Sequence, residues 1–399
     1  MKKSFLLVIL IFMASHFLMA QPACVKDVIY SLVQLKEVPK ARKMMEEQCF
    51  PGNESSADVW LVRANVFIQL YDYELERKSK DQKYIIRWPE AIIIANESFY
   101  KAVELKHDIK TPDRLLDPKD GQLLSAVPIY DLAIEAMNKK DYNEAIKLLN
   151  MVIRSYRVDT KGYAKYLVYV YLDLANCYKI MGDETNYKKT LLDAEKLNTS
   201  ESVIYLNLYN LYKQEKDTVK AGEILTKARR LIPDSLSIDI KEYELDYLSM
   251  LGDSAKLIDA ALKMFEQYRN DVAVINMVAG YLVNNKEYQL AETIIEEGLS
   301  IAPDNFDINQ QMTYRYFYEA IDYEALVDEL KKLRKFTPAQ AALEKFNETL
   351  GIAVIWAEKA YSIYKDDEKH NKMYGQILVR LLMPVPEDLQ EKLDSYRKH

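Results

Sequence analysis

The feature that most constrains this chain is a helix–turn–helix pattern that recurs along it. Its clearest copy is Ser202–Ser235, which reads as a helix, a short polar turn, a second helix and a proline-bounded end. As a marker we take the position near the start of each second helix, where a small side chain is expected. Successive markers lie 42, 34, 36, 34 and 34 residues apart, and they are Ala145, Tyr187, Ala221, Leu257, Ala291 and Ala325. Repeats with a period of about 20–50 residues are typical of solenoids.

Apolar residues within each copy fall at helical spacing, so each helix has one face to bury. A single hairpin cannot bury that face alone, and neighbouring hairpins must stack into a continuous core. Prolines are expected to stop the second helix of three copies, at Pro233, Pro303 and Pro338. The sequence therefore predicts an all-α fold of stacked antiparallel helix pairs.

The residues at fixed positions of each copy resemble the signature of the tetratricopeptide repeat family, whose unit is about 34 residues long. In the clearest copy the matching residues are Tyr205, Leu208, Tyr209, Tyr212, Ala221, Leu225, Ala228 and Pro233. Similar copies are Ala126–Asp159, Val168–Thr199 and Val272–Asn305, and weaker ones are Ile238–Asp271 and Asn305–Pro338. The resemblance covers Ser56 to Pro338 and implies a right-handed superhelical solenoid. Tyr187 and Leu257 depart from it, since they replace the expected alanine.

The N-terminal segment has the features of a secretory signal peptide. Lys2 and Lys3 precede an apolar core, Phe5–Leu18, and the small residue Ala20 precedes the expected cleavage site. An uncleaved anchor is one alternative, but the apolar run is shorter than the ~20 residues of a spanning helix. A lipoprotein signal ending at Cys24 is another. We expect export, with the mature protein in the periplasm or on the periplasmic face of the outer membrane, and no transmembrane segment in it.

The mature chain is predicted to be acidic. Cleavage removes two of the 54 basic residues, which leaves 52 against 61 acidic residues and a net charge of −9. No basic block stands out, which argues against nucleic acid and against an anionic membrane surface as partners.

The three cysteines are expected to meet an oxidising compartment. Ala23–Leu35 and Pro39–Gln48 read as two helices of a hairpin, which brings Cys24 close to Cys49. A disulfide there stabilises by about 3–4 kcal/mol in the loop-entropy model; the alternative is two free thiols. Cys177 lies on an apolar helical face and is expected to be a buried small hydrophobe.

The chain divides by pattern into four parts. They are a signal peptide at 1–20, irregular helical hairpins at 21–125, a repeat array at 126–338 and C-terminal helices with a capping helix at 339–399. The second part holds an insertion of roughly 19 residues within 71–90, judged against a 34-residue unit. That insertion is either a binding element, a solvated loop or a pair of longer helices. Pro112, Pro118 and Gly121 indicate turns in a second irregular connection, Lys106–Gln122.

No catalytic constellation is found. His107, His370 and His399 are not paired with cysteine or histidine at metal-ligand spacing, and no phosphate-binding or nucleophile motif is present. We therefore expect neither an enzyme nor a cofactor or metal site.

The concave groove of the family is lined by the first helix of each unit. On this register, the candidate groove residues are Tyr169, Asn176, Lys179, Leu206, Asn210 and Lys213. Asn176 and Asn207 resemble two asparagines of the carboxylate clamp that some members use for chaperone tails. The clamp's cations are replaced by Leu172, Asp239 and Tyr243, so the resemblance does not extend to a chaperone-tail receptor.

Three tripeptides resemble the Asp-Ser/Thr-aliphatic acceptor of O-glycosylated exported proteins in Bacteroidetes-type bacteria. The acceptors are Thr218, Ser235 and Ser254, each in an expected inter-helix turn. Asp, Ser and Thr are favoured in turns in any case, so turn chemistry is the alternative explanation.

The function that these features favour is an exported protein-interaction scaffold of a bacterial envelope, which binds an unidentified peptide segment or partner subunit. One alternative is a carbohydrate-capture protein of the SusD-like kind, although the lipoprotein cysteine and large insertions usual there are lacking. A second is an enzyme with a site in the 71–90 insertion.

Overall fold

The computed structural model describes residues 22–233 and 238–396. The expected signal peptide and its cleavage site lie outside the described residues. Within them the regular structure is helical, with no strand, and consecutive helices joined by short turns pack in adjacent pairs. The predicted all-α fold of antiparallel helix pairs is confirmed.

The chain divides into two compact units between Leu236 and Ser237. In the first unit, two short helices continue into π-helical turns, at Tyr30–Gln34 and Met45–Cys49. The helices of this unit are α1 (Ala23–Ile29), α2 (Val38–Met44), α3 (Ala57–Lys80), α4 (Ala91–Leu105), α5 (Pro118–Asn138), α6 (Tyr142–Tyr156), α7 (Thr160–Ile180), α8 (Glu184–Glu195), α9 (Ser202–Gln214) and α10 (Thr218–Leu231).

The second unit begins with two repeat-length hairpins, continues with one pair of longer helices and ends with two short helices. Its helices are α11 (Ile238–Leu251), α12 (Ser254–Gln267), α13 (Val272–Asn284), α14 (Tyr288–Ile301), α15 (Phe306–Lys332), α16 (Phe336–Ile363), α17 (Glu368–Arg380) and α18 (Glu387–Tyr396).

Four of the turns within the repeats share one local chemistry, whereas in the turn between α13 and α14 Lys286 has positive φ but Glu287 forms no side-chain cap. A residue with positive φ ends the first helix, and it is Lys140, Gly182, Lys216 or Gly252. The next residue is an aspartate that caps the second helix. Its carboxylate accepts from the backbone N–H three residues on, at 3.0–3.2 Å, and the four caps are Asp141, Asp183, Asp217 and Asp253. Such a cap contributes about 1 kcal/mol to the helix it starts.

The repeat signature residues form the core. Tyr205 and Tyr209 of α9 are fully buried, as are Ala221 and Ala228 of α10. The small side chains of α10 let its backbone approach α9 closely enough to enclose both rings. Ser202–Ser235 is thus the predicted helix pair over its described residues, because its apolar stripe, its cap and Pro233 agree.

One predicted repeat is wrong. Asn305–Pro338 is not a helix pair but the single 27-residue helix α15, which contains Ala325. Pro338 does not stop a helix, because it lies in the first turn of α16, where proline is tolerated. The divisions placed after residues 125 and 338 both fall inside helices, α5 and α16.

The second irregular connection is shorter than the sequence indicated. Pro118 is the first residue of α5 and Gly121 lies within the helix rather than in a turn. A Cβ at Gly121 would lie 2.2 Å from Cζ of the buried Phe99 ring. Glycine is therefore required there by close packing against α4, not by turn geometry.

The 71–90 insertion is partly helix and partly loop. Helix α3 continues to Lys80, and residues 81–90 return to α4. The fully buried Glu74 carboxylate fastens this loop, because it accepts from the Tyr84 hydroxyl at 3.0 Å and from the Arg87 N–H at 2.7 Å. The guanidinium of Arg77 lies 4.6 Å from the centre of the Tyr84 ring. The loop is thus held at its middle, while Ile85 is 83% exposed.

Candidate functional site

A pocket of about 660 Å³ lies between the C-terminal halves of α7 and α9 in the first unit. It is lined by Lys179, Gly182, Glu184, Tyr187, Asn207, Asn210, Leu211, Lys213 and Gln214. Three of the six predicted groove residues therefore line one cavity, together with Asn207, which the clamp comparison had singled out.

The repeat explains why these residues meet. Lys179 and Lys213 are 34 residues apart, one repeat period, and each lies in the last turn of a first helix. Equivalent positions of adjacent units lie side by side, so the pocket receives one lysine from each. A cation in the last turn is also favoured by the helix dipole, by about 0.3–1 kcal/mol, and that contribution to stability accompanies any binding role.

The pocket is mixed in chemistry. The Lys179 ammonium lies 5.8 Å from the centre of the Tyr187 ring, within the range of a cation–π contact. Glu184 adds one carboxylate to the lining. The neighbouring Glu215 carboxylate accepts from Lys188 at 2.6 Å and so balances that cation rather than the pocket lysines. The lining thus holds two lysines, two asparagines and one acid, and the Asn207 amide donates one hydrogen bond to the Val203 carbonyl at 2.8 Å.

The other three predicted groove residues lie elsewhere on the same helices. Tyr169 is 41% exposed and its hydroxyl donates to Glu201 at 3.1 Å; that hydrogen bond raises the pKa of Tyr169. Asn176 is exposed and Leu206 is half-buried, and neither lines the pocket. The predicted set is thus divided between the pocket and the surface beside it.

A tyrosine cluster at the start of α7 was missed by sequence reasoning. The Tyr156 and Tyr163 rings stack with centroids 5.0 Å apart, and Tyr166 beside them is 57% exposed. The Tyr130 hydroxyl donates to Asp173 at 2.5 Å, and burial raises the pKa of both groups. The only available signal was the density of tyrosines in this stretch, which inter-helix packing also explains.

The cysteines of the first hairpin are paired in the structure. Cys24 and Cys49 form a disulfide with their Cα atoms 5.4 Å apart, within the usual span. It joins the start of α1 to the end of the helix that α2 begins. Cys177 is fully buried in α7, and burial raises the pKa of its thiol to about 11.

The described acceptors of the glycosylation-like tripeptides are first residues of helices. Thr218 opens α10 and is half-buried, and Ser254 opens α12 and is exposed. The aspartate of each tripeptide is the helix cap, so capping accounts for the Asp-Ser/Thr pair. Ser235 lies outside the described residues, and modification at all three stays a prediction.

Across residues 22–233 and 238–396, no three side chains of His, Cys, Asp or Glu gather as a metal site would require. In the same residues, no helix combines the length and apolarity needed to cross a bilayer.

No protein-family profile and no curated protein sequence matches the chain. Solved tetratricopeptide proteins resemble it in structure. One from Parabacteroides merdae is 12% identical, with 78% of this chain and 98% of that chain covered and a TM-score of 0.38. The C-terminal part of one from Cytophaga hutchinsonii is 17% identical, with 66% and 99% covered and a TM-score of 0.39.

The APC/C hetero-tetramer Cut9–Hcn1 is 14% identical, with 90% of this chain covered and a TM-score of 0.37, and this chain spans 64% of that one. These three TM-scores all lie below 0.5. The tetratricopeptide-like character of this chain therefore rests on its own helix pairs, its repeat period and its buried signature residues.

Proposed function

We propose that this tetratricopeptide-like chain is a non-catalytic scaffold, exported to a bacterial envelope, that binds an acidic peptide segment of a partner protein. The observation that carries the proposal is the pocket between α7 and α9. It combines concave shape, two lysines and two asparagines, on helices that rigid packing holds in place.

The pocket chemistry suits a peptide better than a small apolar ligand. An asparagine amide donates and accepts, so Asn207 and Asn210 are able to bond the N–H and C=O groups of an extended backbone. Lys179 and Lys213 supply ammonium groups for carboxylates. Glu184 is the single acid among the residues that line the pocket.

Export is supported by the sequence of the first 20 residues. Their basic start, apolar core and small residue before the expected cut are typical of a signal peptide. The absence of familiar catalytic motifs from the sequence favours a scaffold over an enzyme.

A carbohydrate-capture protein is the second candidate, and one observation favours it. The Tyr163 and Tyr166 rings lie side by side at the start of α7, and an exposed aromatic face offers an apolar platform to a ligand. This platform is distinct from the lysine pocket, so the two candidates predict different sensitive residues.

The test is affinity capture from a bacterial envelope extract with the wild-type protein and with the double variant Lys179→Glu, Lys213→Glu. We expect a protein that the wild type retains and the variant loses. Synthetic acidic peptides from that protein should then bind the wild type at least about tenfold more tightly than the variant, since close opposite charges become like charges.

The matched control is Lys161→Glu with Lys165→Glu, which makes the same change of charge on exposed lysines of α7. It should retain the partner. The pocket variant should melt slightly below the wild type, because it replaces two favourable last-turn cations by acids, and the control variant should melt near the wild-type temperature. Capture of glycans without protein, together with loss on Tyr166→Ala, would instead establish the carbohydrate candidate.

A further inference from the structure

The turn between α15 and α16 carries the densest group of cations in the described chain. Four basic residues fall within five positions, with a leucine among them and a phenylalanine directly after; the residues are Lys331, Lys332, Leu333, Arg334, Lys335 and Phe336. We call these six the basic tip. The chain as a whole is acidic, and this cluster is confined to one turn; the inference drawn from it departs from the expectation that no anionic membrane surface is a partner.

The basic tip lies at the far end of a long hairpin. α15 and α16 have 27 and 28 residues, whereas α13 and α14 have 13 and 14. At 1.5 Å per residue the hairpin is about 40 Å long and its neighbours about 20 Å. The end of α17 reaches only to Glu324, whose carboxylate lies 3.5 Å from the Arg380 guanidinium. The basic tip therefore lies about two helical turns beyond Glu324, measured along the hairpin.

Every residue of the basic tip is exposed. Phe336 is 70% exposed and Leu333 is 56% exposed. None of the four cations forms an ion pair or a cation–π contact with any of the residues at 22–233 and 238–396. The nearest acids along α15 are Asp328 and Glu329, one turn back from the tip, so the outermost turn keeps its positive charge.

Helix stability explains only part of this composition: Lys331 and Lys332 lie in the last turn of α15, where the helix dipole favours cations, but Arg334 and Lys335 lie beyond it. Most helices of this chain start at an aspartate, serine or asparagine cap, but α16 starts after Lys335, with no side-chain cap and no acid in its first turn. A cation at a helix N-terminus opposes the helix dipole. A leucine and a phenylalanine in a solvent-facing turn add nothing to the core. Five other described helices, α1, α2, α4, α9 and α14, also begin without a side-chain cap, but the residue before each of them is proline or glutamate, whereas α16 follows a lysine.

We infer that the basic tip docks on the surface of an anionic phospholipid bilayer, with Leu333 and Phe336 entering the headgroup region between the four cations. Each basic residue near such a surface strengthens partitioning by about fivefold, and apolar side chains add to this in proportion to the area they bury.

The alternative occupant, an acidic protein, fits less well. A standard protein interface takes about 800 Å² from each partner, which is more area than one helix–helix turn presents. Binding to a bilayer does not require a minimum contact area. Because the bilayer surface is flat, a convex tip is able to contact it without a complementary groove. This inference concerns a different surface from the α7–α9 pocket and does not depend on the proposed scaffold function.

The test is flotation of the full mature protein with vesicles of phosphatidylcholine alone or with one third phosphatidylglycerol. We expect flotation with the anionic vesicles only, weakened by added salt as screening shortens the range of the charges. The variant with Lys331, Lys332, Arg334 and Lys335 all changed to glutamine should lose at least about tenfold in partitioning. Leu333→Ser with Phe336→Ser keeps the charge and should also weaken it.

The matched control changes four exposed lysines of the first unit to glutamine, and they are Lys106, Lys110, Lys161 and Lys165. It carries the same net charge as the tip variant and should float like the wild type. Equal flotation of the tip variant and the wild type, or binding of the wild type to neutral vesicles as well, would overturn the inference. Failure of the wild type to float with either vesicle would also overturn it and would leave an acidic protein as the occupant.

Discussion

Gly121 and Gly351 both lie within helices of this protein, but only Gly121 is required by close packing. A Cβ at Gly121 would lie 2.2 Å from the Phe99 ring, which is fully buried and has no room to turn away. A Cβ at Gly351, in the middle of α16, would meet nothing within 4 Å. The first glycine is required by packing, and the second carries only the entropic cost of glycine in a helix.

We therefore expect Gly121→Ala to lower the free energy of unfolding by about 1–3 kcal/mol through overpacking. Gly351→Ala should raise it by about 0.5–1 kcal/mol through helix propensity. Urea denaturation followed by circular dichroism measures both. A stabilising Gly121→Ala would mean that α4 and α5 are not packed as closely as described.

The cysteines give a second prediction at the scale of single residues. Denatured, unreduced protein should react with one equivalent of thiol reagent, at Cys177, because Cys24 and Cys49 are bonded. In the folded protein Cys177 should react slowly near neutral pH, since burial raises its pKa to about 11 and little thiolate forms. Reduction should lower the free energy of unfolding by about 3–4 kcal/mol. Three reactive thiols in denatured protein would contradict the disulfide.

At the scale of elements, a helix pair was predictable from the sequence where recognisable capping and turn residues separate its two helices. Ser202–Ser235 was predictable because Asp217 caps α10 and Pro233 follows its end. Asn305–Pro338 was misread because its marker, Ala325, has helical spacing but no turn residue before it. The repeat period placed Lys179 and Lys213 together, but no pattern in the sequence placed Glu74 under the 81–90 loop. That contact depends on the path of the loop, which only tertiary packing fixes.

The prediction at the scale of elements concerns Glu74 and the 81–90 loop that it holds. Glu74→Ala removes the acceptor for the Tyr84 hydroxyl and the Arg87 N–H, which costs about 1–3 kcal/mol and frees the loop. Trypsin should then cleave after Lys83 or Arg87 several-fold faster than in the wild type. Glu76→Ala is the control, because Glu76 lies two residues further along α3 and contacts only exposed Lys80. Equal cleavage of the two variants would show that the loop is held by other contacts.

At the scale of the whole molecule, each helix contacts mainly its neighbours along the chain. Stability in such an array is approximately a sum of unit and nearest-neighbour terms. Damage at one end should therefore stay near that end. The last helix, α18, offers a clean place to test this, because Leu389 is fully buried and the Asp388 carboxylate accepts from the Tyr361 hydroxyl at 3.0 Å.

Leu389→Ala should cost about 2–5 kcal/mol by leaving a cavity at the end of the second unit. Amide hydrogen exchange should accelerate in α16 and α17, while α3 to α6 keep their wild-type protection. Glu391→Ala changes an exposed residue of the same helix and should leave both regions unchanged. Loss of protection in α3 to α6 would mean that the chain unfolds as one cooperative whole.

The aspartate caps favour folding of the chain hairpin by hairpin, in the order of its sequence. Each cap closes a hairpin with residues that are already adjacent in sequence, and each closed hairpin finds its next packing surface on the hairpin made just before it. Contacts this local form quickly and need no distant partner. A chain that emerges end first, from a ribosome or from a translocation channel, is thus able to fold in the order in which it appears, with only its newest hairpin incomplete.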